Sequence, residues 1–237
     1  KFGFRSWKHS LSKVHNFEKH NFSNNIYIRR LAFDEILSNL IVLSKNRNKF
    51  KKSKKDNKLF NNKLAKKILG NIDFKLTISQ ENVIKEINKD LKSDKKMFRL
   101  LQGDVGSGKT IVSFLTTANV LEIGFQSALM APTAILAKQH FNLAKKIFKN
   151  THINVELLTG KTEYSLRKKI LDKLKNGEIN LLIGTHALFQ KKIEFKNLGY
   201  IIIDEQHKFG VKQRMSLAEK GGKNCDVLLM SATPIPR

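Results

Sequence analysis

The sequence predicts an α/β protein: a parallel sheet flanked by helices on both faces, preceded by a basic helical lead-in. Three observations carry that prediction. From about residue 71 onward, short apolar runs alternate with amphipathic stretches. Strands that are apolar throughout, not at every second position, are those buried on both faces. A glycine-rich turn follows the first of these runs and opens into a helical pattern. Before residue 71 the texture differs, being rich in Lys and Asn and poor in Gly. The expected division is 1–70 as the lead-in and 71–237 as the sheet-bearing domain.

Within the lead-in, Leu31, Ala32, Ile36, Leu37 and Leu40 recur at helical spacing and predict an amphipathic helix over 28–43. Ser44 to Lys67 carries 11 basic residues against one acid, Asp56. It reads as a solvated loop between helices in preference to a DNA-contacting segment. Leu59 to Leu69 resumes a helix, with Gly70 as its stop. In the second region Phe98–Leu101 is the first strand, and the turn after it leads into a helix from Lys109 to about Ile123. Strands follow at 127–130, 155–158, 179–183, 200–203 and 226–230, with helices over 134–148 and 165–175.

The chain has 237 residues, a net charge of +25 and a 41% hydrophobic share, enough for a sizeable core. The charge favours a polyanionic partner, nucleic acid ahead of an anionic membrane. Yet Lys outnumbers Arg 37 to 8, and a phosphate-reading surface leans on Arg, whose planar fork suits bidentate contacts. Lys, Asn and Ile share AT-rich codons, so the charge alone is weak evidence. A lone cysteine, Cys225, excludes an intrachain disulfide and reads as a buried, inert thiol. No apolar run approaches the roughly 18 residues of a membrane helix. Lys1 to Arg5 lacks the apolar segment of a signal peptide. The expected location is cytoplasmic.

The turn after the first strand is Gly103-Asp104-Val105-Gly106-Ser107-Gly108-Lys109-Thr110, which fits G-x-x-x-x-G-K-[ST] in full. Glycines let the backbone wrap so that its N–H groups face phosphate oxygens. The helix that follows presents its positive end to the same anion. Lys109 reaches the β and γ phosphates, and the Thr110 hydroxyl is a ligand for Mg²⁺. ATP or GTP is therefore the expected ligand.

Ile201-Ile202-Ile203-Asp204-Glu205 is an apolar strand ending in two acids. Ligands of parallel sheets gather at the carboxyl ends of strands. Asp204 is placed to hold Mg²⁺, directly or through water, and Glu205 to orient the attacking water. The competing reading is a pair of acids capping the next helix; beside a complete phosphate loop, catalysis is favoured.

Asp204-Glu205-Gln206-His207 with Ser231-Ala232-Thr233 resembles superfamily 2 helicases of the DExH type. Further stretches narrow the likeness to the RecG-like helicases of branched DNA. These are Leu100 to Thr110, Met130-Ala131-Pro132-Thr133, Gly184-Thr185-His186-Ala187-Leu188-Phe189-Gln190, Phe209 to Arg214 and Thr233-Pro234-Ile235-Pro236-Arg237. The resemblance runs from about Leu76 to Arg237, and Trp7, His15 and Arg29 to Ala32 look like that family's lead-in. It implies a RecA-like P-loop NTPase fold, ATP with Mg²⁺ as the ligands, and helicase action on forks and Holliday junctions in recombination and repair. It also implies roles for further residues. Leu76, Thr77 and Gln80 are similar to an adenine-reading motif, with Phe74 stacking on the base. A Gln amide pairs with adenine as both donor and acceptor, although Gln80 also reads as a polar residue at a helix start. Pro132, Thr133, Gly184, Thr185 and His186 correspond to motifs that track the DNA backbone. Gln206 and His207 lie near the γ-phosphate in the family, and Ser231 and Thr233 link the ATP site to DNA. For Pro132, Ser231 and Thr233 the bland alternative is turn chemistry after a strand.

The sequence departs from the family in lacking Pro around Ile72 to Phe74 and before Arg99. The family's N-terminal wedge and second motor domain, which supplies arginine fingers, do not fit within 237 residues, so a fragment carrying the first motor domain is expected. Two other readings stay open. One is the motor of a transcription–repair coupling translocase, which Ser107 and Gln206 disfavour. The other is a non-enzymatic nucleic-acid-binding module, which intact Lys109, Thr110, Asp204 and Glu205 disfavour.

Overall fold

The computed structural model describes residues 6–15, 26–52, 54–190, 192–205 and 221–232. The chain divides into two compact units, Lys1–Phe50 and Lys51–Arg237. In the first, α1 (Trp7–His15) and α2 (Ile26–Lys52) meet through the rings of His9 and Tyr27, 5.5 Å apart. α2 contains the expected helix over 28–43 but runs on to Lys52, so 44–52 is helix and not loop.

The second unit contains α3 (Lys63–Leu69), α4 (Ile78–Lys92), β1 (Phe98–Gln102), α5 (Lys109–Glu122), β2 (Gln126–Met130) and α6 (Ala134–Ile147). It continues with β3 (Val155–Leu158), α7 (Tyr164–Asn176), β4 (Leu181–Gly184), β5 (Leu198–Ile203) and β6 (Asp226–Ser231). The six strands form one sheet in the order β1-β6-β5-β2-β4-β3, and every pairing is parallel. Each expected strand is present within about two residues. α4 bears out the reading of Gln80 as a residue at a helix start, since Thr77 and Gln80 form a reciprocal capping box there.

The order runs one way from β1 to β3 and then doubles back. Parallel crossovers are right-handed, so α5 and α6 lie on one face and α7 on the other. Burial agrees with this. Leu129, Leu181, Ile183, Tyr200, Ile202 and Leu228 join α3, α4, α5 and α6 in one apolar cluster. The alternate residues Ala128, Leu182, Ile201, Ile203 and Val227 are buried as well, as period-two alternation requires of a sheet covered twice.

The boundary between units falls at 50/51 and not near 70, because Phe60, Leu64 and Ile68 belong to the same core as α5. The expectation for Ser44 to Lys67 is corrected here in a second respect. Lys55 and Lys58, read as part of a solvated or DNA-contacting stretch, have no exposed side-chain surface, and both ammonium groups lie 2.6 Å from Asp226 Oδ2. Lys55 also donates to the carbonyls of Asp90 and Leu91 at 3.2 and 2.9 Å. Lys58 donates to those of Gly199 and Asn224 at 2.7 and 2.6 Å. Asp226 Oδ1 accepts the Met97 N–H at 2.6 Å. The physical reason is that Asp226 starts an interior strand and must be neutralised where water does not reach. Burial nonetheless holds the Lys55 ammonium below the ordinary lysine range, outweighing the attraction of Asp226.

Cys225 precedes β6, is 2% exposed, and its thiol is pushed up to about 12 by burial. The thiolate is the reactive form, so iodoacetamide at pH 8 is expected to leave the native protein unlabelled and to label it fully in urea. Rapid native labelling, read by mass spectrometry, would contradict this placement.

Candidate nucleotide-binding and catalytic site

The sheet's carboxyl edge collects the candidate residues. In the strand register Gln102 is the neighbour of Ser231, and Met130 is the neighbour of both Ile203 and Gly184. The segments that leave β1, β6, β5, β2 and β4 are therefore the phosphate loop, Ser231-Ala232, Asp204-Glu205, Ala131-Pro132-Thr133 and Thr185-His186, side by side. A direct bond ties the first two together: Gly103 N–H donates to Ser231 O at 3.3 Å.

The phosphate loop has the wrapped backbone its chemistry requires, with Gly106 and Gly108 at φ +80° and +82°. Gly108 is the N-cap of α5, and a Cβ there would lie 2.3 Å from Gln80 Nε2. Asp104, Val105 and Ser107 are exposed at the rim, Val105 by 89%. Lys109 Nζ lies over its own loop and donates to Gly103 O at 2.6 Å and Asp104 O at 2.7 Å. Both acceptors are backbone carbonyls, a position that phosphate oxygens can take over. Thr110, half-buried, is in the first turn of α5.

Gln80 is engaged at both ends of its amide. Its Oε1 accepts the Thr77 N–H at 2.9 Å, and its Nε2 donates to Ser107 O at 2.9 Å. One N–H and one oxygen lone pair remain, the complement an adenine edge needs. The helix-start role and a ligand-facing role are thus compatible on one side chain. Beside it, Leu69, Ile72, Phe74, Leu76 and Glu81 line a cavity of about 630 Å³. Phe74 is 53% exposed, so its ring face is available to a planar group.

Asp204 is 9% exposed. Its N–H donates to Met130 O at 2.8 Å, its Oδ1 accepts the Glu205 N–H at 3.0 Å, and its Oδ2 lies 2.7 Å from His140 Nε2. Because an ionised carboxylate only accepts, Nε2 carries the proton. Glu205 is half-buried and sits at φ +48°, a left-handed conformation that costs a non-glycine residue of order 1–3 kcal/mol and is concentrated at functional sites. Sequence reasoning missed His140. The available signal was a polar residue on the buried stripe of α6, Ala137, His140, Ala144 and Ile147.

Of the proposed DNA-tracking residues, Thr133 is exposed and caps α6, its Oγ1 accepting the Leu136 N–H at 3.3 Å; its own O–H stays available to donate. Pro132 is half-buried, Thr185 is 9% exposed and His186 is exposed at the start of a 3₁₀ turn, His186–Phe189. Gly184 has a packing cause of its own, since a Cβ there would lie 2.2 Å from Leu158 O. Ser231 is buried. Gln206, His207 and Thr233 lie outside the described residues. Among the described residues, no helix is long and apolar enough to cross a membrane.

The DEAD/DEAH box helicase family model matches residues 77–237. The chain belongs to the DEAD/DEAH box helicase family. The chain is 48% identical over 218 residues to the ATP-dependent DNA helicase RecG of Aquifex aeolicus, across 92% of this chain and 28% of that protein. It is 49% identical over 208 residues to RecG of Thermotoga maritima, across 88% and 26%. A solved structure of RecG bound to a three-way DNA junction superposes with a TM-score of 0.75 at 44% identity, covering 90% of this chain and 28% of that one. The DEAD-box helicase Mss116 bound to ssRNA and UDP-BeF shares the fold, with a TM-score of 0.59 at 24% identity over 73% of this chain and 39% of that one. The expected RecG-type resemblance and P-loop NTPase fold are thus borne out. The chain spans 28% and 26% of the length of the two curated relatives.

Proposed function

We propose that this chain is the first motor domain of a RecG-like, ATP-dependent DNA helicase. The observation that carries this reading is the convergence of the phosphate loop, Asp204-Glu205 and Ser231 at one sheet edge, joined by the Gly103 to Ser231 bond of 3.3 Å. On this reading the loop's N–H groups and Lys109 hold the triphosphate. Phe74 and Gln80 hold the adenine. Glu205 orients the attacking water, with Gln206 and His207 next to it. Thr110 and Asp204 are the residues that would hold Mg²⁺. Both are oxygen donors at one sheet edge, which fits Mg²⁺, an ion that takes one or two protein oxygens and completes its octahedron with phosphate and water. When bound, it neutralises charge on the phosphates.

Pro132, Thr133, Gly184, Thr185 and His186 contact the DNA backbone, and Ser231 and Thr233 couple it to the nucleotide. Branched DNA, such as forks and Holliday junctions, is the proposed substrate, and recombination and repair in the cytoplasm the setting. The relatives' greater length leaves room for a wedge domain and a second motor domain. Arginine fingers from the latter raise turnover by about 10³ or more, so this segment alone is expected to hydrolyse ATP poorly. The test is steady-state ATP hydrolysis by the full-length protein with a three-way junction and with linear duplex. Stimulation favouring the junction is expected, and equal rates with and without DNA would refute the reading.

A further inference from the structure

We propose that His140 is a positioning residue for Asp204, holding the carboxylate in the orientation that Mg²⁺–nucleotide binding uses and tying it to the helix that starts at the DNA-facing Thr133. The inference rests on the motor-domain reading and adds a residue outside every motif used to reach it. A carboxylate turns about its Cβ–Cγ bond unless both oxygens are held. Here Oδ1 is held by the Glu205 N–H at 3.0 Å and Oδ2 by His140 at 2.7 Å. Both side chains are close to nine-tenths buried, at 10% and 12% exposure, so water does not substitute for the imidazole. With each oxygen held by one donor, the remaining lone pairs have a fixed direction.

The path to DNA is short. α6 begins at the Thr133 cap and Pro132 precedes it, while His140 lies seven residues on, about two turns or 10 Å along the axis. Asp204 is fixed to the same β2–α6 segment through its backbone, by its N–H on Met130 O at 2.8 Å. A shift of α6 on DNA binding therefore moves the donor on Oδ2. The bland alternative is a core histidine satisfied by whatever acceptor is near; His140 does share the buried stripe with Ala137, Ala144 and Ile147.

The two readings separate with His140→Gln and His140→Asn in the full-length protein. Gln places an amide N–H near the position of Nε2, whereas Asn is too short to reach Asp204. Two measurements are made on each variant: affinity for a fluorescent ATP analogue with Mg²⁺ and in EDTA, and DNA-stimulated kcat and KM for ATP. Outer-shell partners of ligating groups are worth about 10–100-fold in metal affinity or activity. His140→Asn is therefore expected to lower kcat by about 10-fold or more and to raise the half-saturating Mg²⁺ concentration, with affinity in EDTA unchanged. His140→Gln is expected to recover most of both losses. Wild-type Mg²⁺ dependence in His140→Asn, or equal impairment of both variants together with lost affinity in EDTA, would overturn the proposal. If the wild type shows no DNA stimulation, the helicase reading fails by itself, and the Mg²⁺-dependent binding still decides the role of His140.

Discussion

Asp226→Ala is expected to destabilise the second unit by about 3–5 kcal/mol, the cost typical of removing one partner from a buried ion pair. Asp226 neutralises two ammonium groups at 2.6 Å and accepts the Met97 N–H. Its loss leaves Lys58 with backbone carbonyls alone, and Lys55 with carbonyls and the weaker attraction of Asp90. The lysine variants are expected to be milder. The cluster carries two positive charges on one negative, so Lys55→Met leaves a neutral pair, and Lys55 is the lysine whose ammonium burial disfavours. Lys58 should cost more, because its two carbonyl acceptors lie at 2.7 and 2.6 Å against 3.2 and 2.9 Å for those of Lys55, and its ammonium also lies 5.2 Å from the Phe125 ring. Urea denaturation followed by circular dichroism gives the order. Asp226→Ala within about 1 kcal/mol of wild type, the range of a surface pair, would sink the assignment. The pH dependence has a definite sign. With its native value lowered, Lys55 binds fewer protons folded than unfolded, so its contribution makes stability rise with pH between that lowered value and the ordinary lysine range. Asp226→Ala would not reverse that slope, because desolvation is its first cause.

Why the lysines misled the sequence reading is a matter of range. Asp226 lies 171 residues from Lys55 and 168 from Lys58, and nothing local to Ser44–Lys67 marks two of its 11 basic residues as buried. The length of α2 was hidden for a related reason. Its last third, 44–52, is Lys- and Asn-rich without an apolar stripe, and periodicity is silent about such a segment. By contrast, the strands were legible because an interior parallel strand needs apolar residues on both faces, which a four-residue run such as Tyr200–Ile203 shows at sight. The phosphate loop was legible because its glycines and lysine serve one local geometry. His140 falls between these cases. Its position on α6 is a matter of local spacing, but its value depends on Asp204, 64 residues away. Gly184 was read for DNA contact, and the structure adds a steric cause that no motif contains, the close approach of the Leu158 carbonyl.

Lys109→Ala is expected to lower DNA-stimulated kcat of the full-length protein by about 10²–10³-fold, the usual cost of deleting one preorganised donor to developing negative charge. The fold should be indifferent to the change, because among the described residues Nζ bonds two carbonyls of its own loop, Gly103 O and Asp104 O, and the melting temperature should stay near that of wild type. Nucleotide affinity should fall far less than kcat. On the proposed reading, the loop's N–H groups, the α5 N-terminus and the Phe74–Gln80 side of the site are all retained, and these would bind ground state and transition state alike. Lys109→Arg is not expected to restore turnover, since a planar fork does not replace a compact point charge reaching between phosphates. Stopped-flow nucleotide binding beside steady-state hydrolysis distinguishes the outcomes. A variant that keeps more than a tenth of wild-type kcat would remove Lys109 from the catalytic set and with it the phosphate-loop assignment. Lost binding with proportionate loss of kcat/KM would instead make Lys109 a ground-state anchor, and would transfer the transition-state work proposed for this edge to Glu205 and to groups of the full-length protein outside this site.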